Sequence, residues 1–133
     1  MNPEWGEDRL AEKVLIVDDS VSMRQMERMI LTQAGYEVVE ASDGKDALSK
    51  LSADISVVVT DLNMPNMNGV ELVEAIRAGD VNRSVPILIL TTESESEKKR
   101  QGKEAGATAW LTKPFEQHQL LKAVRKISEK VRF

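Results

Sequence analysis

The chain has 133 residues, of which 41% are hydrophobic and 30% are charged. This length fits one domain, and the apolar fraction is sufficient for a hydrophobic core. The 18 basic and 22 acidic residues leave a net charge of −4 at pH 7, which argues against nucleic-acid binding and against a basic membrane-surface protein.

The cysteine and histidine counts exclude several kinds of site. The sequence has no cysteine, which excludes disulfide scaffolds, thiol catalysis, thiolate zinc sites and iron–sulfur clusters. Its single histidine, His118, excludes a metal site built from several histidines. No apolar run approaches the roughly 18 residues of a membrane span, and the acidic N-terminus does not resemble a signal peptide. We therefore predict a cytoplasmic protein without membrane insertion.

The chain begins with a polar segment and continues with alternating strand and helix patterns. Residues 1–12 carry Pro3, Gly6 and four acidic residues, and we predict a flexible leader there, followed by one domain over residues 13–133. Short β-branched and apolar runs predict five strands, at residues 14–17, 37–40, 55–60, 87–91 and 108–112. Three of these runs are almost purely apolar, which is typical of strands buried on both faces.

A stretch with helical spacing follows each predicted strand. Apolar residues recur at this spacing within residues 23–34, 47–51, 70–76 and 120–131. The fourth helix in chain order, at residues 97–105, has almost no apolar face and contains Gly102, which costs about 1 kcal/mol relative to alanine. We expect it to be the least stable helix. Five successive strand–helix units predict an α/β fold with an open, doubly wound parallel sheet covered by helices on both faces.

Polar side chains follow four of the five predicted strands. Asp18 and Asp19 come after the first strand, Asp61 after the third, Thr91 at the end of the fourth and Lys113 after the fifth. Sites in open α/β sheets lie outside the carboxyl ends of the strands, so these side chains should meet at one edge. Helix capping could explain one of the first two aspartates, but it does not explain the whole set.

Three carboxylates at one edge need either a proton or a cation, because each pair at ~4 Å repels by about 4 kcal/mol at an effective dielectric constant of about 20. Oxygen ligands without cysteine or histidine favour Mg²⁺, with Mn²⁺ as an alternative. Lys113 and the Thr91 hydroxyl can then bind phosphoryl oxygens. A carboxylate can itself attack phosphorus, and Asp61, at the end of the central strand, is best placed to do so.

Four segments of the sequence resemble the receiver domain of two-component response regulators, and most closely the CheY-like, single-domain chemotaxis type. They are VLIVDDSVSMR, VVVTDLNMPNMNG, ILILTTE and GATAWLTKPF. The resemblance covers about residues 13–133 and implies a flavodoxin-like (βα)5 fold with a five-stranded sheet in the order 2-1-3-4-5.

The resemblance also implies roles for the residues at the strand ends. Asp61 would accept a phosphoryl group from the phosphohistidine of a histidine kinase. Asp19, Asp61 and the backbone carbonyl of Asn63 would hold Mg²⁺, with Asp18 acting directly or through water. Lys113 would pair with the phosphoryl oxygens, aimed at them by a cis Lys113–Pro114 bond.

Switching and hydrolysis involve a second set of residues in this family. Thr91 would move toward the phosphoryl group and give Trp110 room to turn inward. Thr92 replaces the smaller residue of many relatives, and Trp110 the more common tyrosine or phenylalanine. Asn63, Thr92 and Glu93 are expected to tune hydrolysis, and the Asn63–Glu93 pair suggests a phosphatase as a partner.

The expected output surface comprises the fourth helix, the fifth strand and the fifth helix, including Lys98, Lys99 and Trp110. Because no effector follows residue 133, we expect output by protein contact, in chemotaxis through the flagellar motor switch. The protein would not be an enzyme but a phosphoacceptor that catalyses its own phosphorylation and slow dephosphorylation. The alternatives are a phosphorelay shuttle, a kinase regulator outside chemotaxis, and a pseudo-receiver that acts without phosphorylation.

Two other classes of protein fit the sequence less well. A flavodoxin-like cofactor binder would need a Gly-, Ser- and Thr-rich phosphate loop where Asp18 and Asp19 stand. An aspartate-nucleophile phosphatase would need a second acid two residues after the first, and the Asp18–Asp19–Ser20 segment lacks this spacing.

Overall fold

The structure is a computed structural model that describes residues 12–92 and 96–129. The elements, in chain order, are β1 (Lys13–Val17), α1 (Val21–Gln33), β2 (Glu37–Ala41), α2 (Gly44–Lys50), β3 (Ile55–Asp61), α3 (Gly69–Ala78), β4 (Ile87–Thr91), α4 (Ser96–Ala105), β5 (Ala109–Thr112) and α5 (Gln117–Glu129). Residues 1–11 of the predicted leader lie outside the described residues, as do the last residues of the predicted fifth helix. The proposed domain boundary stays a prediction.

The five strands form one sheet in the order β2-β1-β3-β4-β5, and every pair of neighbours is parallel. This confirms the predicted doubly wound fold. Side chains alternate across the sheet, so that Val14 and Ile16 of β1 pack toward α1 and α5. Leu15 and Val17 pack on the opposite face, toward α2 and α3. The alternation divides the core into two layers and explains why the inner strands are mainly apolar on both faces.

Side-chain caps determine where three of the helices begin. The Ser20 hydroxyl accepts a hydrogen bond from the Met23 amide at the start of α1. Asn68 and Glu71 form a reciprocal capping box at the start of α3, with distances of 2.8 and 2.9 Å. Asp43 accepts from the Asp46 amide at the start of α2. Because Ser20 caps α1, the neighbouring aspartates are not the caps of this helix.

Helix α4 is the most exposed helix that the structure describes. Gly102 is its one buried residue, and its side chains interact mainly with one another, as in the ion pairs from Arg100 to Glu97 and Glu104. Exposed pairs at this spacing add only about 0.2–0.5 kcal/mol each. The expectation that α4 is the least stable helix stays a prediction, and the shallow burial supports it. No helix within the described ranges is long and apolar enough to cross a membrane.

Candidate phosphoacceptor site

Three carboxyl groups meet at the carboxyl ends of β1 and β3. The two strands are neighbours, and their register places Val17 opposite Thr60, so the next residues, Asp18 and Asp61, also lie side by side. Asp18 and Asp61 are buried, with 1% and 9% of their surface exposed, whereas Asp19 is exposed. One oxygen from each of the three carboxyl groups lies within 4.8 Å of the others.

Lys113 adds a positive charge to this cluster of carboxyl groups. Its Nζ donates to Oδ1 of Asp61 at 2.7 Å, and its backbone amide donates to the Thr91 carbonyl, which attaches the segment after β5 to the end of β4. The Lys113–Pro114 peptide bond is cis, as expected. The ion pair leaves the second oxygen of Asp61 without a bond to this lysine.

Burial and charge shift the pKa values of Asp18, Asp61 and Lys113. Burial raises the pKa of Asp18, and the nearby Asp61 adds to the rise, while the hydrogen bond from the Ser20 amide opposes it. Burial also raises the pKa of Asp61, against the opposing effect of Lys113. For Lys113, burial lowers the pKa, but the hydrogen bond and charge of Asp61, with Asp18, raise it by more. The cluster thus contains more negative charge than one lysine balances.

These residues fit a hard divalent cation. Oδ2 of Asp18 is buried and has no hydrogen-bond partner within the described residues, although a buried carboxylate oxygen normally has one. The donor atoms are all oxygens from three acidic side chains, the ligands that Mg²⁺ prefers. A cation here would satisfy the orphaned oxygen and offset the excess negative charge.

Thr91 ends β4 beside this cluster. It is buried, and the register that pairs Asp61 with Leu90 places Thr91 one residue beyond the level of Asp61. Polar groups from four neighbouring strands therefore lie at one edge of the sheet, in the arrangement that the strand ends predicted.

The receiver-domain sequence family for response regulators matches residues 14–125 of the chain. The chain belongs to this family. Receiver domains are phosphoacceptors rather than classical enzymes, and they bind Mg²⁺ through an acidic cluster such as the one formed here by the three aspartates.

Relatives of this receiver include proteins named for chemotaxis. The chemotaxis protein CheY1 of Helicobacter pylori strain J99 is 42% identical over 106 residues, which cover 77% of this chain and 86% of that protein. The chemotaxis protein CheY of Pseudomonas aeruginosa is 36% identical over 121 residues, or 90% of this chain and 98% of that protein. The solved structure of the Vibrio cholerae chemotaxis protein CheY4 matches with a TM-score of 0.84 and 49% identity, covering 88% of this chain and 98% of that one. The receiver is therefore CheY-like.

Asn63 lies in the loop that follows β3. Asn63 is exposed, two residues after Asp61, and Met64 is buried in the core. The loop closes tightly because the Gly69 amide donates to the Leu62 carbonyl at 2.7 Å. A Cβ at Gly69 would lie 2.6 Å from the Asp61 carbonyl oxygen. Only glycine fits this close approach, which helps to fix the backbone of Asp61.

The other predicted residues divide into three groups. Thr92 is exposed at the end of β4, next to the site. Glu93 lies outside the described residues. Trp110 is half-buried in β5, opposite Ile89 in the register, and its indole Nε1 is buried with no hydrogen-bond partner in the part of the chain that the structure describes. The roles assigned to these residues stay predictions.

The sequence analysis missed Glu27, in the middle of α1. This side chain is only 1% exposed and lies on the same helix face as Ile30 and Leu31, which are three and four residues further on and also buried. Burial, followed by the charge of Asp18, raises its pKa to about 8. The signal was present in the sequence, since an acidic residue at the 3–4 spacing of an apolar face is unusual.

Proposed function

We propose that this receiver accepts a phosphoryl group on Asp61 from the phosphohistidine of a histidine kinase. The observation that carries the proposal is the 2.7 Å ion pair between Lys113 and Asp61 beside two further carboxyl groups. Lys113 binds one Asp61 oxygen, and the other oxygen would attack phosphorus. A new P–O bond forms as the P–N bond of the phosphohistidine breaks, and the nitrogen keeps the electron pair of that bond.

The remaining residues of the site support this transfer. Asp18, Asp19, Asp61 and the Asn63 carbonyl would hold Mg²⁺, which when bound supplies positive charge against the phosphoryl oxygens. Lys113 has its charge stabilised by the carboxylates and stays cationic, so it can pair with a phosphoryl oxygen. Asn63, Thr92 and Glu93 would tune the slow hydrolysis of the aspartyl phosphate.

The output surface comprises α4, β5 and α5. The phosphoryl group adds a charge near −2 at the end of β3, one strand away from Thr91. Movement of Thr91 toward this group would open space for the Trp110 ring on the adjacent strand. Helix α4 buries fewer residues than any other described helix, with Gly102 as its one buried residue, which makes it the element best suited to two arrangements.

The relatives favour control of the flagellar motor in chemotaxis as the biological role. Three of the most similar proteins are named chemotaxis proteins. On this proposal, the partners are a histidine kinase, a flagellar motor switch protein and a phosphatase, and the protein acts in the cytoplasm.

Intact mass spectrometry tests the acceptor chemistry directly. The protein is incubated with a small acyl phosphate, with and without Mg²⁺, beside Asp61→Asn and the matched control Asp80→Asn, whose side chain is exposed. We expect one phosphoryl group to be added, only with Mg²⁺, to the wild type and to Asp80→Asn. We expect none to be added to Asp61→Asn. The absence of any gain with all donors would overturn the proposal in favour of a pseudo-receiver.

A further inference from the structure

Glu27, in α1, carries a buried carboxyl group that the proposed phosphoryl transfer does not use. Its side chain is 1% exposed, and neither Oε1 nor Oε2 has a hydrogen-bond partner among the described residues. Buried carboxyl groups are almost always paired, because an unpaired one loses its hydration without compensation. Helix packing alone does not require an acid here, since Ile30 and Leu31 fill the same face with apolar side chains.

The surroundings of Glu27 connect it with the phosphoacceptor site. The charges that act on it come from Asp18 after β1, Asp61 in β3, Lys113 after β5 and Arg24 one turn earlier on α1. Three of these four belong to the site, and α1 contacts it directly. Nη1 of Arg24 donates to the Asp18 carbonyl at 2.6 Å, and Met23 and Met26 line a cavity together with Lys113. The oxygens of Glu27 do not join the group of carboxylate oxygens that lie within 4.8 Å of one another. The charged groups of the site therefore act on Glu27 electrostatically, and Glu27 is not one of the clustered carboxyl ligands.

The protonation of Glu27 follows from these surroundings. Burial and the negative charges of Asp18 and Asp61 raise its pKa, while Lys113 and Arg24 lower it, with a result of about 8. At pH 7 the neutral acid predominates. A nearby divalent charge would lower the cost of ionising Glu27, and an added phosphoryl dianion would raise it.

We propose that Glu27 is a fourth carboxyl group of the phosphoacceptor site, which holds a proton in the cation-free protein and releases it to solvent when a divalent cation binds. The O–H bond of the acid breaks, the proton passes to the buffer, and the carboxylate remains. This inference rests on the cation site of the proposed function. It makes cation binding depend on pH through a residue that does not touch the cation.

The coupling is reciprocal. If the cation lowers the pKa of Glu27 by one unit, then Mg²⁺ binds about tenfold more tightly when Glu27 is ionised than when it is neutral. At pH 7.5 the same shift corresponds to the release of about half a proton for each Mg²⁺ bound.

Calorimetric titration with Mg²⁺ alone measures this proton. The titration is run at pH 7.5 in two buffers with different ionisation enthalpies, on the wild type, on Glu27→Gln and on the matched control Glu74→Gln, whose side chain is exposed. We expect Glu27→Gln to lose the proton release and Glu74→Gln to keep it. Equal proton release in the wild type and in Glu27→Gln would overturn the inference.

A second measurement follows the protonation of Glu27 directly in the wild-type protein, and the variant serves only to assign the signal. Carboxyl ¹³C NMR of glutamate-labelled protein should show one resonance that titrates near pH 8 and shifts its midpoint downward with Mg²⁺; Glu27→Gln assigns it by its disappearance. A Glu27 resonance with the same midpoint in both conditions would contradict the proposal. Neither experiment needs phosphorylation. Proton release without phosphorylation of Asp61 would overturn only the proposed function, and phosphorylation without proton release only this inference.

Discussion

The indole ring of Trp110 lies against the backbone of Gly102. A Cβ atom at Gly102 would stand 3.1 Å from Cζ3 of the ring and 3.2 Å from Cδ1 of Ile89. The glycine that weakens α4 is therefore also the residue that leaves room for a large aromatic side chain on β5. Gly102 therefore affects both the stability of α4 and the space available to Trp110, the proposed switch residue.

The substitution Gly102→Ala separates these two effects. Alanine favours the helix by about 1 kcal/mol, but its methyl group must displace the Trp110 ring by a few tenths of an ångström. We expect the ring to move toward solvent and the gain in unfolding free energy to fall short of the propensity value. Tryptophan emission, recorded in a Trp5→Phe background so that only Trp110 reports, should shift to the red. An unchanged emission maximum together with the full gain in stability would contradict this.

Glu27 should make the stability of the protein depend on pH. Its pKa of about 8 in the folded protein lies above the ordinary glutamate value of 4.5, so the folded state binds more protons than the unfolded state between these two pH values. The titration of Glu27 then leaves the free energy of unfolding constant below about pH 4.5. As the pH rises from there toward 8, it lowers that free energy by at most about 1.4 kcal/mol per pH unit. Urea unfolding from pH 5 to 8 should show a steeper decline in the wild type than in Glu27→Gln, and parallel profiles would refute the assignment.

Replacing Lys113 by glutamine should have opposite effects on cation binding and on phosphorylation. Loss of the ammonium group leaves the carboxyl groups of Asp18 and Asp61 without their main positive neighbour, so Mg²⁺ should bind more tightly, by roughly three- to tenfold. Phosphorylation should fall, because the phosphoryl oxygens lose their cationic partner. Calorimetry and intact mass measure the two effects on the same sample. Weaker Mg²⁺ binding in a folded Lys113→Gln protein would contradict the charge balance described here.

The close approach at Gly69 predicts a strong effect of a small substitution. A methyl group there would lie 2.6 Å from the Asp61 carbonyl oxygen and 3.0 Å from Cα of Leu62, both backbone atoms that cannot rotate away. We expect Gly69→Ala to lower the unfolding free energy by about 1–3 kcal/mol. The control is Gly79→Ala, where the nearest atom is the Ala75 carbonyl oxygen at 3.3 Å and the loss should be smaller. Urea unfolding of both variants decides the comparison, and equal losses would count against the steric argument.

Much of the site could be predicted because its residues stand at the carboxyl ends of strands that are recognisable in the sequence. A buried apolar run that stops at an aspartate reveals both the strand and the edge at which the aspartate lies, as with Asp61 at the end of β3. Parallel strands carry their carboxyl ends to one edge, so Asp18, Thr91 and Lys113 were placed there without knowledge of any contact. The ion pair between Lys113 and Asp61, 52 residues apart in sequence, is a consequence of that topology.

Glu27 and Gly102 show what local patterns leave out. The helical spacing of α1 marks Glu27 as an acid on an apolar face, but the charges that shift its pKa come from three different strand ends. In the sequence, Gly102 only lowers the helix propensity of a polar segment. The structure shows that it leaves room for the ring of Trp110. Both properties depend on packing between elements that are distant in sequence.

The sequence by itself determined the order and kind of the elements, the parallel sheet and the set of polar groups at its carboxyl edge, because hydrophobic periodicity and strand direction are local properties of the chain. Tertiary structure alone decided that Lys113 and Asp61 approach to 2.7 Å, which carboxyl group lies buried without a partner, and why a glycine stands in α4. These depend on distances of a few ångströms between elements, and electrostatic and packing energies change steeply over that range.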